Sequence, residues 1–314
     1  MSHDAFLSQN PSEIDRRLWS WLRHLRARNA RPRTLEAYSG SLKKLHEFLT
    51  KECMPIDVSE ISQEHLEAFI ADQLDRWAPA TANARFRAIS SFFSYLVEDE
   101  FIEISPMRKM KAPKIPEKQV PVLTEDQIQS LLNACRGRGF EDRRDDAFIR
   151  IFIDTGGRRA EVGGLRYSES DPLSNDVDVE QGVIRLQGKG GRERVAAIGD
   201  RTIRSLDRYL TARERHAYVN LPWLWLGQKG RLAESGMRQA LQRRANQAGL
   251  GRIHPHLFRH AFAHYWLAAG GNETDLMRLA GWRSRSMLDR YGASAGTDRA
   301  IAAHRTFSPG NRFR

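Results

Sequence analysis

Four prolines, Pro106, Pro113, Pro116 and Pro121, cut this chain into two parts. Proline lacks a backbone donor and pushes the residue before it out of the helical region, so no helix or central strand runs through 106–121. An extended connector there predicts two separately folded parts, 1–105 and 122–314, and 314 residues suffice for a core in each. The connector is also basic, with Arg108, Lys109, Lys111, Lys114 and Lys118 against Glu117. Solvated linkers carry such runs, and so do straps that lie along a polyanion. The whole chain leans the same way: 50 Lys and Arg against 39 Asp and Glu give a net charge of +11. That excess favours a phosphate-bearing partner, because each neutralised phosphate releases counterions.

Before the connector the apolar residues recur at three and four. Ser12 is placed to cap a helix carrying Ile14, Leu18, Trp21 and Leu25, and Pro32 to open a second with Tyr38, Leu42, Leu45 and Leu49. Ser62 precedes Leu66, Phe69 and Ile70, and Thr81 precedes Phe86, Ile89, Phe92 and Phe93. Four amphipathic helices predict a small all-α bundle. After the connector, Thr124 to Gln127 reads as a capping box. A second helix holds Phe148, Ile151 and Phe152 and breaks at Gly156-Gly157. Val183–Leu186 and Val195–Ile198 flank Gly188-Lys189-Gly190-Gly191, a hairpin pattern. Helices are expected at 202–213, 235–248, 255–269, 274–280 and 297–304, and the apolar run Leu221–Leu226 is short enough for a buried strand. The fold expected is mainly α with a small β-sheet, in two domains.

Cys53 and Cys135 are the only cysteines, too few for a disulfide framework, which fits a reducing cytoplasm. No signal peptide is apparent at the N-terminus, and no apolar run approaches the ~20 residues that span a bilayer.

The chemistry-bearing residues are scattered through the second part. In Thr155-Gly156-Gly157-Arg158-Arg159-Ala160-Glu161 a helix ends in glycines and another begins beside an arginine, a setting that lets backbone approach an anion. Arg158 and Glu161 are spaced for the carboxylate to orient the guanidinium, and periodicity alone leaves Arg159 as a competitor. Lys189 lies at the hairpin tip, where an ordinary turn lysine is also at home. His256, Arg259 and His260 share a helix stripe. Read with His264 the histidines could form a metal stripe, but no Glu or Cys supplies the usual third ligand and no H-E-x-x-H spacing occurs. Trp282 brings one indole donor on a broad apolar body. Tyr291 follows, a phenol downstream of fixed cations, suited to attack on a phosphate.

Taken in order, Arg158, Lys189, His256, Arg259, Trp282 and Tyr291 resemble the active-site signature of the tyrosine recombinases, the λ-integrase-like, Xer- and phage-integrase-like family: Arg, hairpin Lys, His-x-x-Arg, His or Trp, then Tyr. The Glu three residues after Arg158 favours it over Arg159. The likeness runs from about residue 12 to the end, and departs from the family's habit in having Gly157 where an apolar residue is common and Trp282 where His is more frequent.

The resemblance implies an N-terminal helical, SAM-like core-binding domain over 1–105, a linker over 106–121, and a C-terminal α+β catalytic domain over 122–314. It implies a site-specific DNA recombinase in which Tyr291 attacks the scissile phosphodiester and forms a 3′-phosphotyrosyl bond. Arg158 and Arg259 would clamp the non-bridging oxygens, Lys189 would protonate the leaving 5′-oxygen, and His256 would assist proton transfer. Trp282 would hold the phosphate by its indole N–H, with Glu161 and His260 supporting. Arg108, Lys109, Lys111 and Lys114 would lie on the DNA backbone. No metal, nucleotide or other cofactor is implied, because the covalent bond conserves the energy of the broken one. The implied partners are double-stranded DNA with paired sites and a homotetramer on it, with room for an accessory DNA-bending or directionality factor and none for a membrane. A bacterial, cytoplasmic, nucleoid-associated setting follows.

Nothing before residue 12 could be an additional arm-binding domain, so a simple two-domain recombinase is expected, and Trp282 and the arginine-rich tail lean its role towards integration or excision of a mobile element. Xer-type dimer resolution is the alternative. A type IB topoisomerase shares the Tyr–Arg–Lys–Arg–His logic, and a catalytically silent DNA-binding relative would share the fold. The last helix, 297–304, is the natural element to dock on a neighbour or to fold back on its own domain.

Overall fold

The computed structural model describes residues 12–116, 121–188 and 191–312. The chain divides into two compact units, Met1–Lys118 and Gln119–Arg314.

The described residues of the first unit form a bundle of four helices: α1 (Glu13–Ala27), α2 (Pro32–Lys51), α3 (Gln63–Arg76) and α4 (Pro79–Glu98). Ser12 caps α1, its Oγ accepting from the Asp15 amide, and Ser62 caps α3. Helix α4 opens at Pro79, ahead of the Thr81 start expected from sequence, because proline at the first helical position presets φ and has no amide to leave unpaired. The apolar stripes meet as aromatic contacts. Trp21 stacks on Tyr38 with centroids 5.2 Å apart, and it meets the edge of Phe92 at 5.4 Å. Met107 is buried in this core and Met110 packs against it. Asn83 on α4 donates to the Pro113 carbonyl at 2.8 Å. The stretch from Pro106 to Pro116 therefore stays with the first unit, held by its apolar residues, while Arg108, Lys109, Lys111 and Lys114 are exposed. Lys118 and Glu117 lie outside the described residues.

The second unit is built on α6 (Phe140–Thr155), whose buried Phe148, Ile151 and Phe152 form its core with Phe258 and Trp225. Before it comes α5 (Glu125–Asn133), opened by the expected capping box: Thr124 Oγ1 accepts from the Gln127 amide at 3.2 Å and Gln127 Oε1 from the Thr124 amide at 3.1 Å. After it come the short α7 (Arg159–Gly163) and an antiparallel three-stranded sheet, β1 (Val177–Asp178), β2 (Val183–Gln187) and β3 (Glu193–Ala197), in that order. The β2–β3 register pairs Arg185 with Val195 and Leu186 with Arg194, which is the hairpin expected around Gly188–Gly191. Next follow α8 (Asp200–Arg213), β4 (Leu226–Gly227), β5 (Gly230–Arg231), α9 (Glu234–Gln247), α10 (Pro255–Ala268), α11 (Glu273–Ala280) and α12 (Arg285–Phe307).

Two expectations change. Leu224, Trp225 and Leu226 are buried, but the run makes only the two-residue strand β4. The rest of its backbone is held by an isolated bridge of Trp223 to Arg166, by Leu224 N donating to Leu165 O, and by Tyr209, whose Oη donates to Leu224 O and accepts from the Leu226 amide. The final helix does not begin at 297. Helix α12 starts at Arg285, contains Tyr291 and packs against α10. Burial of Leu288 and Tyr291 outweighs the weak helix propensity of Gly292 and Gly296.

Candidate active site

The site forms where two helices end and a third passes over them. Helix α6 stops at Gly156, which takes the left-handed conformation at φ 53. Helix α11 stops in the same way at Gly281, φ 65. The last carbonyls of a helix lack intrahelical donors and carry the negative end of its dipole, so both ends attract cations. Arg259, in the second turn of α10, answers both. Its Nη1 donates to Gly156 O at 2.8 Å and its Nη2 to Ala280 O at 2.6 Å, with the residue only 1% exposed.

Arg158 is the N-cap of α7, so its side chain leaves the chain just past the end of α6. Glu161, one turn on, holds it twice: Oε2 accepts from the Arg158 amide at 2.9 Å and Oε1 from Nη1 at 2.5 Å. Arg159 turns elsewhere, to Glu234 at the start of α9. Burial alone would raise the Glu161 pKa, but the Arg158 hydrogen bonds and the nearby Arg194 charge outweigh it and hold the carboxyl below the ordinary range. Arg259 is pushed down to about 10, by burial first and then by repulsion from Arg158 and Arg194. It remains a cation at neutral pH. Arg158 and Arg194 thus share one carboxylate, with the charge of Arg259 nearby, and the buried Nε of Arg194, Nε of Arg259 and Nε1 of Trp282 have no hydrogen-bond partner. Unmet buried donors beside excess positive charge are suited to an anion with several acceptor oxygens, such as a phosphodiester.

Tyr291 stands over this cluster. Its ring stacks on Trp282 with centroids 5.1 Å apart and planes 19° apart, and it lies 4.2 Å from the His260 ring. The Arg259 guanidinium is 5.2 Å from the Trp282 ring centre and 5.6 Å from that of Tyr291. Tyr291 is 7% exposed and Trp282 6%. Both belong to an apolar cluster of α10, α11 and α12 with Leu267, Leu276 and Leu288.

Of the residues expected from sequence, Arg158, Glu161, Arg259, His260, Trp282 and Tyr291 come together. His256 lies in the first turn of α10, one turn before Arg259 and exposed, its ring 6.3 Å from that of His254. Lys189 lies outside the described residues, although both strands of its hairpin are described. Arg194 was not anticipated. Strand alternation carries the signal that could have found it, since on β3 it shares a face with the buried Ala196 and Ile198. Among the described residues no group of three His, Cys, Asp or Glu side chains is arranged to hold a metal ion, and no helix is long and apolar enough to cross a membrane.

Comparison with known proteins adds an independent line. Residues 121–297 match the family model described as Phage integrase family, and residues 18–103 match Phage integrase, N-terminal SAM-like domain. The chain is 30% identical over 266 residues to tyrosine recombinase XerC of Thermodesulfovibrio yellowstonii, covering 82% of this chain and 84% of that protein. It is 28% identical to tyrosine recombinase XerD of Yersinia pestis, over 90% of this chain and 93% of the relative. Among solved structures, the fold resembles XerH recombinase bound to its difH substrate, with a TM-score of 0.69, 23% identity, and 88% and 80% of the two chains covered. It also resembles the Tn1549 transposon integrase with circular intermediate DNA, at a TM-score of 0.69 and 20% identity over 93% and 99%.

Proposed function

The chain belongs to the phage integrase family of tyrosine recombinases, enzymes that cleave and rejoin DNA at specific sites, and from that premise we propose that Tyr291 is its nucleophile. The observation that carries the assignment is the placement of the Tyr291 ring against Trp282 and beside Arg259, in a site where Arg158 and Arg194 share the Glu161 carboxylate. The phenolic oxygen attacks the phosphorus in line with the 5′-oxygen, the P–O5′ bond breaks, and a 3′-phosphotyrosyl ester forms. Arg158 and Arg259 stabilise the charge that grows on the non-bridging oxygens, and the indole N–H of Trp282 donates to the same group. His256 takes the phenolic proton and Lys189 supplies one to the departing 5′-oxygen. Attack by a 5′-hydroxyl from a second duplex reverses these steps and joins strands in a new pairing. His260 supports the Tyr291 ring, and the exposed cations Arg108, Lys109, Lys111 and Lys114 lie on backbone phosphates. Four copies act on two sites, with an accessory DNA-bending or directionality factor supplying order where needed.

A nicked suicide duplex tests the assignment, built on a site selected from random sequence by binding to the protein. Wild type should accumulate a covalent adduct whose nucleotide maps to Tyr291. Tyr291→Phe should bind the duplex equally and form none. Nucleotide on any other side chain refutes the reading.

Two biological roles fit. Trp282 and the arginine-rich tail favour integration or excision of a mobile element. The likeness to XerC and XerD over more than four fifths of the chain favours resolution of chromosome or plasmid dimers. Deleting the gene discriminates them: trapped dimers and filamentous cells mark the second role, loss of an excised circle the first.

A further inference from the structure

Arg194 sits on β3, in the strand leaving the hairpin tip, with its side chain 11% exposed. It reaches three other elements. Nη2 donates to Glu161 Oε2 on α7 at 3.2 Å and to the Thr155 carbonyl, the last of α6, at 3.4 Å. Nη1 donates to the Leu279 carbonyl in the last turn of α11. Its stem crosses Gly281, where a Cβ would stand 3.0 Å from Arg194 Cδ, so the close approach depends on a residue without a side chain. Arg194 and Arg259 thereby bind consecutive carbonyls at the same two helix ends: Thr155 and Leu279 by one, Gly156 and Ala280 by the other.

We infer that Arg194 is a positioning residue for strand cleavage. It sets the Glu161 carboxylate against Arg158, and it pins the end of α11, from which Trp282 follows, to the end of α6. The inference rests on the assignment of this site to phosphodiester cleavage. An arginine is required because its planar fork meets acceptors on several sides at once, whereas a lysine ammonium on the same stem is a single point. Arg194 Nε is also buried without a partner, as are Arg259 Nε and Trp282 Nε1 at the same site.

Single-turnover cleavage of the nicked duplex by the full chain tests this, with duplex affinity and thermal unfolding measured in parallel. Arg194→Ala should slow adduct formation by about 10- to 100-fold with affinity unchanged, the scale of a small misplacement of reacting groups. Guanidinium chloride should restore part of the rate, and sodium chloride of equal ionic strength should not. Arg194→Lys, which keeps the charge and loses the fork, should also be slow. Wild-type rates in either variant overturn the inference. So does a loss that guanidinium fails to restore and that follows the fraction unfolded. Where the alanine variant does not fold, the lysine variant with native unfolding temperature decides. A wild-type chain that forms no adduct refutes the Tyr291 assignment instead, so the two failures are distinct.

Discussion

At the scale of single residues, Trp282 has two separable properties, a ring that stacks on Tyr291 and an N–H left without a partner. Trp282→Phe keeps most of the first and removes the second. It should bind DNA normally and cleave roughly tenfold more slowly, the worth of about one hydrogen bond. An unchanged cleavage rate would reduce the indole to packing. The proposed reacting set could be named from the sequence because its chemistry lies in residue type and order: Arg158 with Glu161, His256 with Arg259, then Trp282 and Tyr291. Arg194 was not, because an arginine in a short strand near a basic turn looks like a solvated one. Only its shared face with Ala196 and Ile198 sets it apart. The partner of Arg158 was visible as a spacing, but that Glu161 also serves Arg194 depends on a residue 33 positions away.

At the scale of elements, the site depends on how α6 and α11 end. Both end in glycines at positive φ, and both offer their final carbonyls to arginines from other elements. Gly281→Ala should cost about 1–2 kcal/mol, since an L-residue resists the left-handed region, and the added methyl would also press on the Arg194 stem. Chemical denaturation should show the loss of stability, and cleavage should fall with it. A variant of undiminished stability would mean that the end of α11 relaxes freely. Helix starts were well marked by Ser12, Pro32, Ser62 and Thr124, whose capping chemistry is local. The extent of α12 was not, because Gly292 and Gly296 argue for a break and only packing on α10 argues against one. The same holds for Leu221–Leu226, whose burial was legible but whose backbone partners, Tyr209 among them, come from elsewhere in the chain.

At the scale of the whole molecule, charge and division into units are the properties that matter most. The net +11 and the exposed Arg108, Lys109, Lys111 and Lys114 predict DNA binding that weakens steeply with salt. Replacing those four with alanine should reduce the slope of log affinity against log salt by about 0.9 for each phosphate no longer neutralised. An unchanged slope would remove this segment from the DNA interface. The two-part architecture was legible from the prolines alone. That residues up to 116 pack with the first unit was not, because it turns on Met107 and Met110 finding a core.

Helix α12 carries one last implication. It runs unbroken from Arg285 to Phe307, with Tyr291 near its start and Ile301 and Phe307 exposed toward its end. At 1.5 Å per residue the backbone positions of Tyr291 and Phe307 are about 24 Å apart along this one helix. Because the proposed nucleophile and the exposed tip share one helix, a load on the tail is a load on the element that holds Tyr291.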